Sequence, residues 1–238
     1  MKISECVVVI TGSSGGLGRS MAGLLVQRGA KVVLCSRDIR RLKQTAKESG
    51  AMAVRANVTR ESDLKRVVQK TLKAYGRIDV WVNNAGMWLP KEDLESIDPK
   101  KALQLFRTNV FGAIHGMRAA IRVMKRQGFG TILNIISTTA FDGMNGSSGS
   151  MYVTSKYALR GLTNVVRDEL SRGPVRLIGV YPGGIKTNLF DAAKPGNFGE
   201  FMPVDEVAGK IVAHLEKDSP EPELIIARPG HQVPAGRR

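Results

Sequence analysis

The sequence predicts a single α/β domain built on a doubly wound parallel sheet of about seven strands. Three observations predict this fold class. Short β-branched runs alternate with segments of helical period along the whole chain, no repeat or linker interrupts the alternation, and a glycine-rich turn joins the first strand to the first helix. Because strands buried on both faces have nearly continuous apolar sequences, the pattern indicates a parallel sheet covered by helices on both sides.

Seven apolar runs are the predicted strands: CVVVI, KVVLCS, MAVRANV, IDVWVN, TILNIIS, VRLIGVY and ELIIA. The clearest predicted helix follows Val58, because six residues recur there at helical spacing and Gly76 stands where helices commonly end. Asp98 and Pro99 predict the N-cap and first residue of a long helix that runs to about Gln127. The domain is predicted to span 1–238, with a loose C-terminal end at about 229–238.

Composition excludes several classes of protein. A chain of 238 residues with 42% hydrophobic content can bury a large core, so disorder is excluded. Cys6 and Cys35 are too few for a disulfide framework and match no metal-ligand spacing, so we expect a cytoplasmic setting and no metal site. The first apolar run is too short to span a membrane, so we expect no membrane association.

The net charge of +15 raises the question of an anionic partner. Nucleic-acid surfaces that stack on bases interleave basic and aromatic side chains, but only 5% of this chain is aromatic. We therefore expect no nucleic-acid partner.

A glycine-rich turn, TGSSGGLG, follows the first predicted strand and contains Gly12, Gly16 and Gly18. Glycine lets the backbone turn tightly and approach a diphosphate, whose charge the helix N–H groups stabilise. Tight turns also use glycine without any ligand. The strand–turn–helix context nevertheless favours a dinucleotide.

Four motifs in order resemble the short-chain dehydrogenase/reductase family: TGxxxGxG from Thr11, NNAG at 83–86, YVTSK at 152–156 and PGG at 182–184. The resemblance covers nearly the whole chain. It implies a Rossmann-type fold and transfer of hydride between a nicotinamide cofactor and a carbonyl compound or secondary alcohol. It also implies cofactor contacts at Gly12, Ser14, Gly16, Leu17, Gly18, Arg37, Asn57, Val58, Asn84, Ala85, Gly86, Tyr152, Lys156, Pro182, Gly183, Ile185 and Thr187.

The end of the second predicted strand bears on the choice of nicotinamide. Family members that prefer NAD carry an acid there, whereas this chain has Ser36 followed by Arg37. A guanidinium suits a 2′-phosphate, so NADP(H) is favoured over NAD(H), although Arg37 could instead be a solvated charge. Asp38 has the generic spacing of a ribose-binding acid, but we interpret it as a helix N-cap. Where the family has an adenine-binding acid this chain has Asn57, whose amide oxygen can also accept a hydrogen bond.

Tyr152 and Lys156 are separated by one helical turn, so they lie on one face of a predicted helix. In the family, the tyrosine protonates the carbonyl oxygen and the lysine binds the nicotinamide ribose. A cation about 4 Å away is worth about 4 kcal/mol at an effective dielectric constant of 20, or about three pKa units. We therefore expect the pKa of Tyr152 to lie near 7, where acid–base catalysis is efficient.

Two further catalytic residues are implied by the resemblance. Ser137 stands where the family's serine hydrogen-bonds the substrate oxygen, with Thr138 as a second candidate, although a serine can also simply end a strand. Asn109 matches the asparagine that holds a water in the family's proton relay. A buried helical asparagine is otherwise often just a satisfied polar residue.

Apolar residues are predicted around the nicotinamide and suit a hydrophobic carbonyl or alcohol substrate, although loop hydrophobes more often only pack a lid. They are Met87, Trp88, Leu89, Phe141, Met144, Phe190, Phe198 and Phe201. The segment of about 186–202 carries glycine and proline and is predicted to be a mobile substrate lid.

Two alternative functions remain open. One is a non-catalytic NADP-binding regulator, which the intact Tyr152–Lys156 pair disfavours. The other is an enzyme like the β-ketoacyl carrier protein reductases of this family, in which basic residues dock an acidic carrier protein. Residues at comparable places or on the same helix face are Arg118, Arg122, Lys125, Arg126 and Arg172, for which a solvated surface is the default interpretation. By analogy with the family we also expect a homo-dimer or homo-tetramer.

Overall fold

A seven-stranded parallel sheet forms the centre of the computed structural model, which describes residues 2–141, 149–191 and 193–228. The strands are β1 (Val7–Thr11), β2 (Lys31–Ser36), β3 (Met52–Arg55), β4 (Val80–Asn83), β5 (Gly130–Ile135), β6 (Val175–Pro182) and β7 (Glu223–Ile226). Their order across the sheet is β3-β2-β1-β4-β5-β6-β7, and every neighbouring pair is parallel. The predicted fold class is confirmed.

Helices cover both faces of the sheet. They are α1 (Gly16–Gln27), α2 (Ile39–Ser49), α3 (Glu61–Tyr75), α4 (Pro99–Phe106), α5 (Gly112–Gln127), α6 (Ser150–Leu170) and α7 (Val204–Glu216). One core layer contains Leu25 of α1 and Ile211 of α7, and the other contains Leu64 of α3 and Met124 of α5. No helix within the described ranges is long and apolar enough to cross a membrane.

Helix ends follow the local signals in the sequence. The Asp38 carboxylate caps α2 by accepting from the backbone N–H groups of Arg40 and Arg41 at 3.0 and 3.1 Å, as predicted. Asp98 caps α4 in the same way, with Pro99 at its first position. Gly76 ends α3 at φ +76°, a left-handed conformation that glycine adopts without strain.

The long helix predicted from Pro99 to Gln127 is not continuous. A π-helical turn at Arg107–Phe111 separates α4 from α5, and Gly112 N–H bonds to the oxygen of Arg107, five residues back. A π turn inserts one extra residue into a helix, and apolar spacing alone does not reveal it.

The order of the strands places a crevice beside β1. The chain proceeds outward from β1 to β3 in one direction and from β4 to β7 in the other, so connections leave β1 and β4 on opposite sides. In sheets of this kind ligands bind outside the carboxyl ends of the strands at that switch point. Met144, most of the GMNGSSGS stretch and the predicted loose end at 229–238 lie outside the described residues.

Candidate active site

A cleft of about 400 Å³ lies at the switch point, at the carboxyl ends of the strands. Every predicted cofactor residue except Gly18 lines it, and so does Ser137. Asn109 lies outside it. Sequence reasoning missed Thr108 and Asn188, which also line the cleft. Each is adjacent in sequence to a residue that was singled out, and that adjacency is the only signal that could have found them.

The glycine turn brings the backbone close to the loop that follows β4 on the other side of the cleft. Gly12 has φ +65°, and a Cβ there would stand 2.6 Å from Cα of Ala85, so only glycine fits. Gly18 does not line the cleft because it packs against Ser13, 2.8 Å from where its Cβ would be. Helix α1 starts at Gly16 without a side-chain cap. Its first N–H groups can therefore receive a diphosphate, so the residues fit a dinucleotide.

The end of β2 carries hydroxyl and guanidinium groups in place of an acid. The Ser14 and Ser36 hydroxyls are hydrogen-bonded at 2.9 Å, and exposed Arg37 lines the edge of the cleft. The guanidinium of Arg41, Nη2, lies 3.2 Å from where a Cβ on Gly15 would stand. The Asp38 carboxylate is used as the N-cap of α2, so it is not directed to a ligand. This rim of the cleft therefore offers a ligand hydroxyl and guanidinium groups.

The expected role of Asn57 is not supported by its hydrogen bonds. Asn57 lines the cleft, but its Oδ1 accepts from both the N–H and the hydroxyl of Thr59, at 3.1 and 3.0 Å. Both lone pairs of that oxygen therefore have donors, and none is left for an adenine amine. This local Asx turn was not apparent from the motif position.

Tyr152 and Ser137 meet at the inner end of the cleft. Ser137 lies two residues beyond β5, and its Oγ accepts from the N–H and hydroxyl of Thr139 at 3.2 and 3.0 Å. Because both lone pairs of Oγ are used, its own hydrogen remains available to the Tyr152 hydroxyl, whose pKa Ser137 lowers. Thr138, the second candidate, is buried and does not line the cleft.

The expectation that Lys156 brings the pKa of Tyr152 near 7 is wrong for this structure. Burial raises the pKa of Tyr152 to about 12, an increase that the hydrogen bond with Ser137 only partly offsets. Lys156 Nζ instead donates to the backbone oxygen of Ile135 at 3.1 Å and lies 5.6 Å from the centroid of the tyrosine ring. Burial lowers the pKa of Lys156 to about 8.

Asn109 faces the protein and not the cleft. Its Oδ1 accepts from Met87 N at 2.7 Å, and its Nδ2 donates to Met87 O at 2.9 Å and to Ser155 Oγ at 3.0 Å. Both amide hydrogens are therefore used within the protein. In this structure the side chain fixes the loop after β4, and the expected role of Asn109 in holding a relay water stays a prediction.

An aromatic cluster closes the substrate end of the cleft. Trp88 and Phe190 line the cleft and meet edge to face with ring centroids 5.2 Å apart. Phe201 and Phe198 also meet Phe190 edge to face, with ring centroids 5.3 and 5.9 Å away. Leu89 and Tyr152 belong to the same apolar cluster, whereas Phe141 packs against Tyr181 and does not line the cleft.

The two ends of the segment predicted as the lid, about 186–202, are joined by backbone hydrogen bonds. Lys186 N–H donates to Met202 O and Met202 N–H donates to Gly184 O, both at 2.9 Å. Thr187 caps the short turn that follows, at Asn188–Phe190, by accepting from Leu189 N–H at 3.4 Å. The motion of this segment stays a prediction.

The chain matches the model of a known family, described as short chain dehydrogenase, over residues 6–197. The chain belongs to the short-chain dehydrogenase/reductase family. An uncharacterized oxidoreductase of Bacillus subtilis is 34% identical over 194 residues, covering 78% of this chain and 54% of that relative, about half its length. Another, from Staphylococcus saprophyticus, is 30% identical over 235 residues, covering 96% of this chain and 99% of the relative.

Two solved structures of short-chain dehydrogenase/reductase type are similar over nearly their whole length. The 3-ketoacyl-(acyl-carrier-protein) reductase from Brucella melitensis, complexed with NADH, has a TM-score of 0.84 and 28% identity, covering 93% of this chain and 96% of that one. The alcohol dehydrogenase from the archaeon Thermococcus sibiricus, complexed with 5-hydroxy-NADP, has a TM-score of 0.83 and 26% identity, covering 96% and 98%. This short-chain dehydrogenase/reductase is an NAD(P)-dependent oxidoreductase.

Proposed function

We propose that this enzyme is an NADP(H)-dependent oxidoreductase that interconverts an uncharged hydrophobic carbonyl compound and its secondary alcohol. The observation that carries the proposal is that Tyr152 and Ser137 line the same cleft as an uncapped, glycine-rich helix start. The proton donor and the dinucleotide-binding turn are then parts of one cavity. Ser137, Tyr152 and Lys156, which line the cleft, form the proposed catalytic set. Asn109, whose side chain fixes the loop after β4, is the proposed holder of a relay water.

Tyr152 is the proposed acid. A bound nicotinamide supplies or accepts the hydride. With a pKa of about 12 the tyrosine is protonated at neutral pH, so its hydroxyl can donate a proton to a carbonyl oxygen. Lys156, with a pKa of about 8, is mostly cationic at pH 7. Its ammonium would bind ribose hydroxyls and stabilise the tyrosine oxygen as the proton leaves.

The preference for NADP(H) rests on the rim at β2. Arg37 and Arg41 supply two guanidinium groups, which suit a phosphate monoester, and the Ser36 hydroxyl stands where a ribose-binding acid would be needed. Asp38 is engaged by the N-terminus of α2. An adenosine 2′-phosphate is therefore the group that this rim fits best.

The substrate class follows from the charges that line the cleft. Among its described lining residues only Arg37 and Lys156 are charged, and both lie on the cofactor side in this proposal. The substrate end consists of Trp88, Phe190 and neighbouring apolar side chains. Among the described residues that line this end, none would pair with a carboxylate or phosphate, so the proposed substrate is uncharged there.

A carrier-bound acyl substrate is the second candidate. The exposed side chains of Arg122, Lys125 and Arg126 on α5 lie within 4.0 Å of no carboxylate among the described residues, so this face can receive an acidic protein. The likeness to the Brucella melitensis reductase supports the same candidate. Carrier-linked and free acyl substrates that turn over equally well would remove it.

The proposed assembly is a homo-dimer or homo-tetramer in the cytoplasm. Leu103, Phe111 and Val165 are large apolar side chains that are about half exposed or more (51%, 50% and 59%) on α4, the π turn and α6. A second copy would cover them. The free thiols of Cys6 and Cys35 are both buried, which suits a reducing compartment. Light scattering of the purified protein tests the assembly.

The function is tested by titration with NADPH and NADH, followed by a panel of carbonyl compounds monitored by loss of nicotinamide absorbance. Tyr152→Phe should abolish reduction and preserve NADPH binding. Tyr157→Phe, the same change five residues further along α6, is the matched control and should keep full activity. Full turnover by Tyr152→Phe would refute the mechanism.

A further inference from the structure

A chain of buried hydrogen bonds joins α6 to the loop that follows β4. Ser155 donates from its hydroxyl to the backbone oxygen of Tyr152 at 2.7 Å, and its Oγ accepts from Asn109 Nδ2 at 3.0 Å. Asn109 in turn bonds both backbone polar groups of Met87, at 2.7 and 2.9 Å. Ser155 and Asn109 are almost wholly buried, with exposed fractions of 0% and 2%.

Every hydrogen in this chain already has an acceptor. The single hydroxyl hydrogen of Ser155 bonds to Tyr152, and the two amide hydrogens of Asn109 bond to Met87 and Ser155. Removing the Ser155 hydroxyl would leave an Asn109 N–H unpaired where bulk water does not reach. A buried unpaired donor is unfavourable, so the Asn109 amide would turn towards another acceptor and weaken its bonds to Met87.

The groups that the chain connects are the two sides of the proposed reaction site. Met87 and Trp88 line the cleft from the β4 loop, and Tyr152 lines it from the first turn of α6. Met87 and Tyr152 are 65 residues apart in sequence, so the distance between the two segments in the folded protein depends on tertiary contacts. Ser155 bonds to one segment directly and to the other through Asn109.

We propose that Ser155 is a positioning residue for proton transfer: through Asn109 it fixes the Met87 loop relative to the first turn of α6. A carbonyl group bound against that loop then meets the Tyr152 hydroxyl at a defined place. Small misplacements of reacting groups lower rates strongly, so a side chain that touches neither substrate nor cofactor can control turnover. This inference rests on the proposed role of Tyr152.

Thr154 provides a matched control beside it. Its hydroxyl makes the same kind of contact, donating to the backbone oxygen of Ser150 at 2.8 Å, but the side chain is exposed and that bond stays within α6. Replacing Thr154 with alanine removes a helix hydroxyl without touching Asn109.

The first experiment compares Ser155→Ala and Thr154→Ala with the unchanged enzyme at saturating NADPH. We expect kcat of Ser155→Ala to fall about tenfold, from the loss of one buried hydrogen bond, while the dissociation constant of NADPH stays the same. With NADPH deuterated at the transferred position, the isotope effect on kcat should increase in Ser155→Ala and stay unchanged in Thr154→Ala. A loss of folded protein alone would lower the rate without changing the isotope effect.

A second measurement needs no substrate. Hydrogen exchange followed by NMR should show faster exchange of the Met87 amide in Ser155→Ala, with the Leu133 amide in β5 unchanged. If Ser155→Ala does not fold, Ser155→Cys, which keeps a weak donor and acceptor, takes its place with a smaller effect in the same direction. An unchanged kcat and isotope effect, or an unchanged Met87 exchange rate, overturns the inference. If the unchanged protein reduces no carbonyl compound, the proposed function fails, and Met87 exchange still decides whether Ser155 holds the loop.

Discussion

Replacing Lys156 with methionine should stabilise the protein at pH 7 while it removes the activity. The change removes a buried ammonium and keeps an unbranched, flexible side chain. Burial lowers the pKa of Lys156 from its ordinary 10.5 to about 8, a difference of about 2.5 units. At about 1.36 kcal/mol per unit, the folded protein carries a penalty of about 3 kcal/mol at pH 7 for holding this charge.

The penalty has a defined pH dependence. Below pH 8 both the folded and the unfolded protein bind the proton, so the full penalty applies. Between pH 8 and 10.5 the unfolded protein binds the proton more tightly, so the stability of the unchanged enzyme rises with pH. The stabilisation by Lys156→Met should therefore be about 2 to 3 kcal/mol at pH 7, after loss of the hydrogen bond to Ile135, and about 2 kcal/mol smaller at pH 9.5.

Urea unfolding of both proteins at the two pH values measures this difference. Lys43→Met is the matched control, because Lys43 is exposed and its replacement should change stability little at either pH. NADPH-dependent carbonyl reduction by Lys156→Met should be lost. A Lys156→Met protein less stable than the unchanged enzyme at pH 7, or a stability difference that does not vary between pH 7 and 9.5, would refute the reasoning.

Three further outcomes are expected. Arg37→Ala should raise the dissociation constant of NADPH about tenfold and that of NADH little, by fluorescence titration, because the guanidinium binds only the 2′-phosphate; equal losses would contradict this. Gly116→Ala in α5 should destabilise the protein by more than about 2 kcal/mol in urea unfolding, since its Cβ would overlap the Asn83 amide. Gly23→Ala in α1 should not, since its Cβ would meet no atom of the described residues within 4 Å. The dissociation constant of NADPH should rise about tenfold from pH 7 to pH 9 as Lys156, with its pKa of about 8, loses its proton; a flat profile would show that its charge is not used in binding.

Features that depend on neighbouring residues could be predicted from the sequence. The strands follow from continuous β-branched runs, and the caps at Asp38 and Asp98 follow from a carboxylate one residue before a helical segment. The glycine turn was recognisable because its spacing, its strand and its helix are contiguous. The composition of the cleft was predictable for the same reason, since each motif brings its own short segment to the carboxyl edge of the sheet.

Features that depend on distant residues could not be predicted in this way. Asn109 finds its partners 22 and 46 residues away, so its motif position gave its place in the chain but not its bonds. Lys156 is directed by Ile135, 21 residues earlier, and the burial of Tyr152 depends on residues of the lid segment. The argument from helical spacing alone therefore predicted a lowered pKa for Tyr152, whereas burial raises it.

The π-helical turn at Arg107–Phe111 makes the number of residues in this stretch of the chain critical. A π turn carries one extra residue, and each residue rotates an α-helix by about 100°. Leu105, before the turn, belongs to the apolar cluster at the substrate end of the cleft, while Met117, after it, belongs to the core layer of α3 and α5. Deleting one residue here would rotate one of these faces away from its layer, whereas the same deletion at 91–93, which is exposed and irregular, would shorten a loop. Tolerance to a change in length therefore differs sharply between two segments less than 20 residues apart.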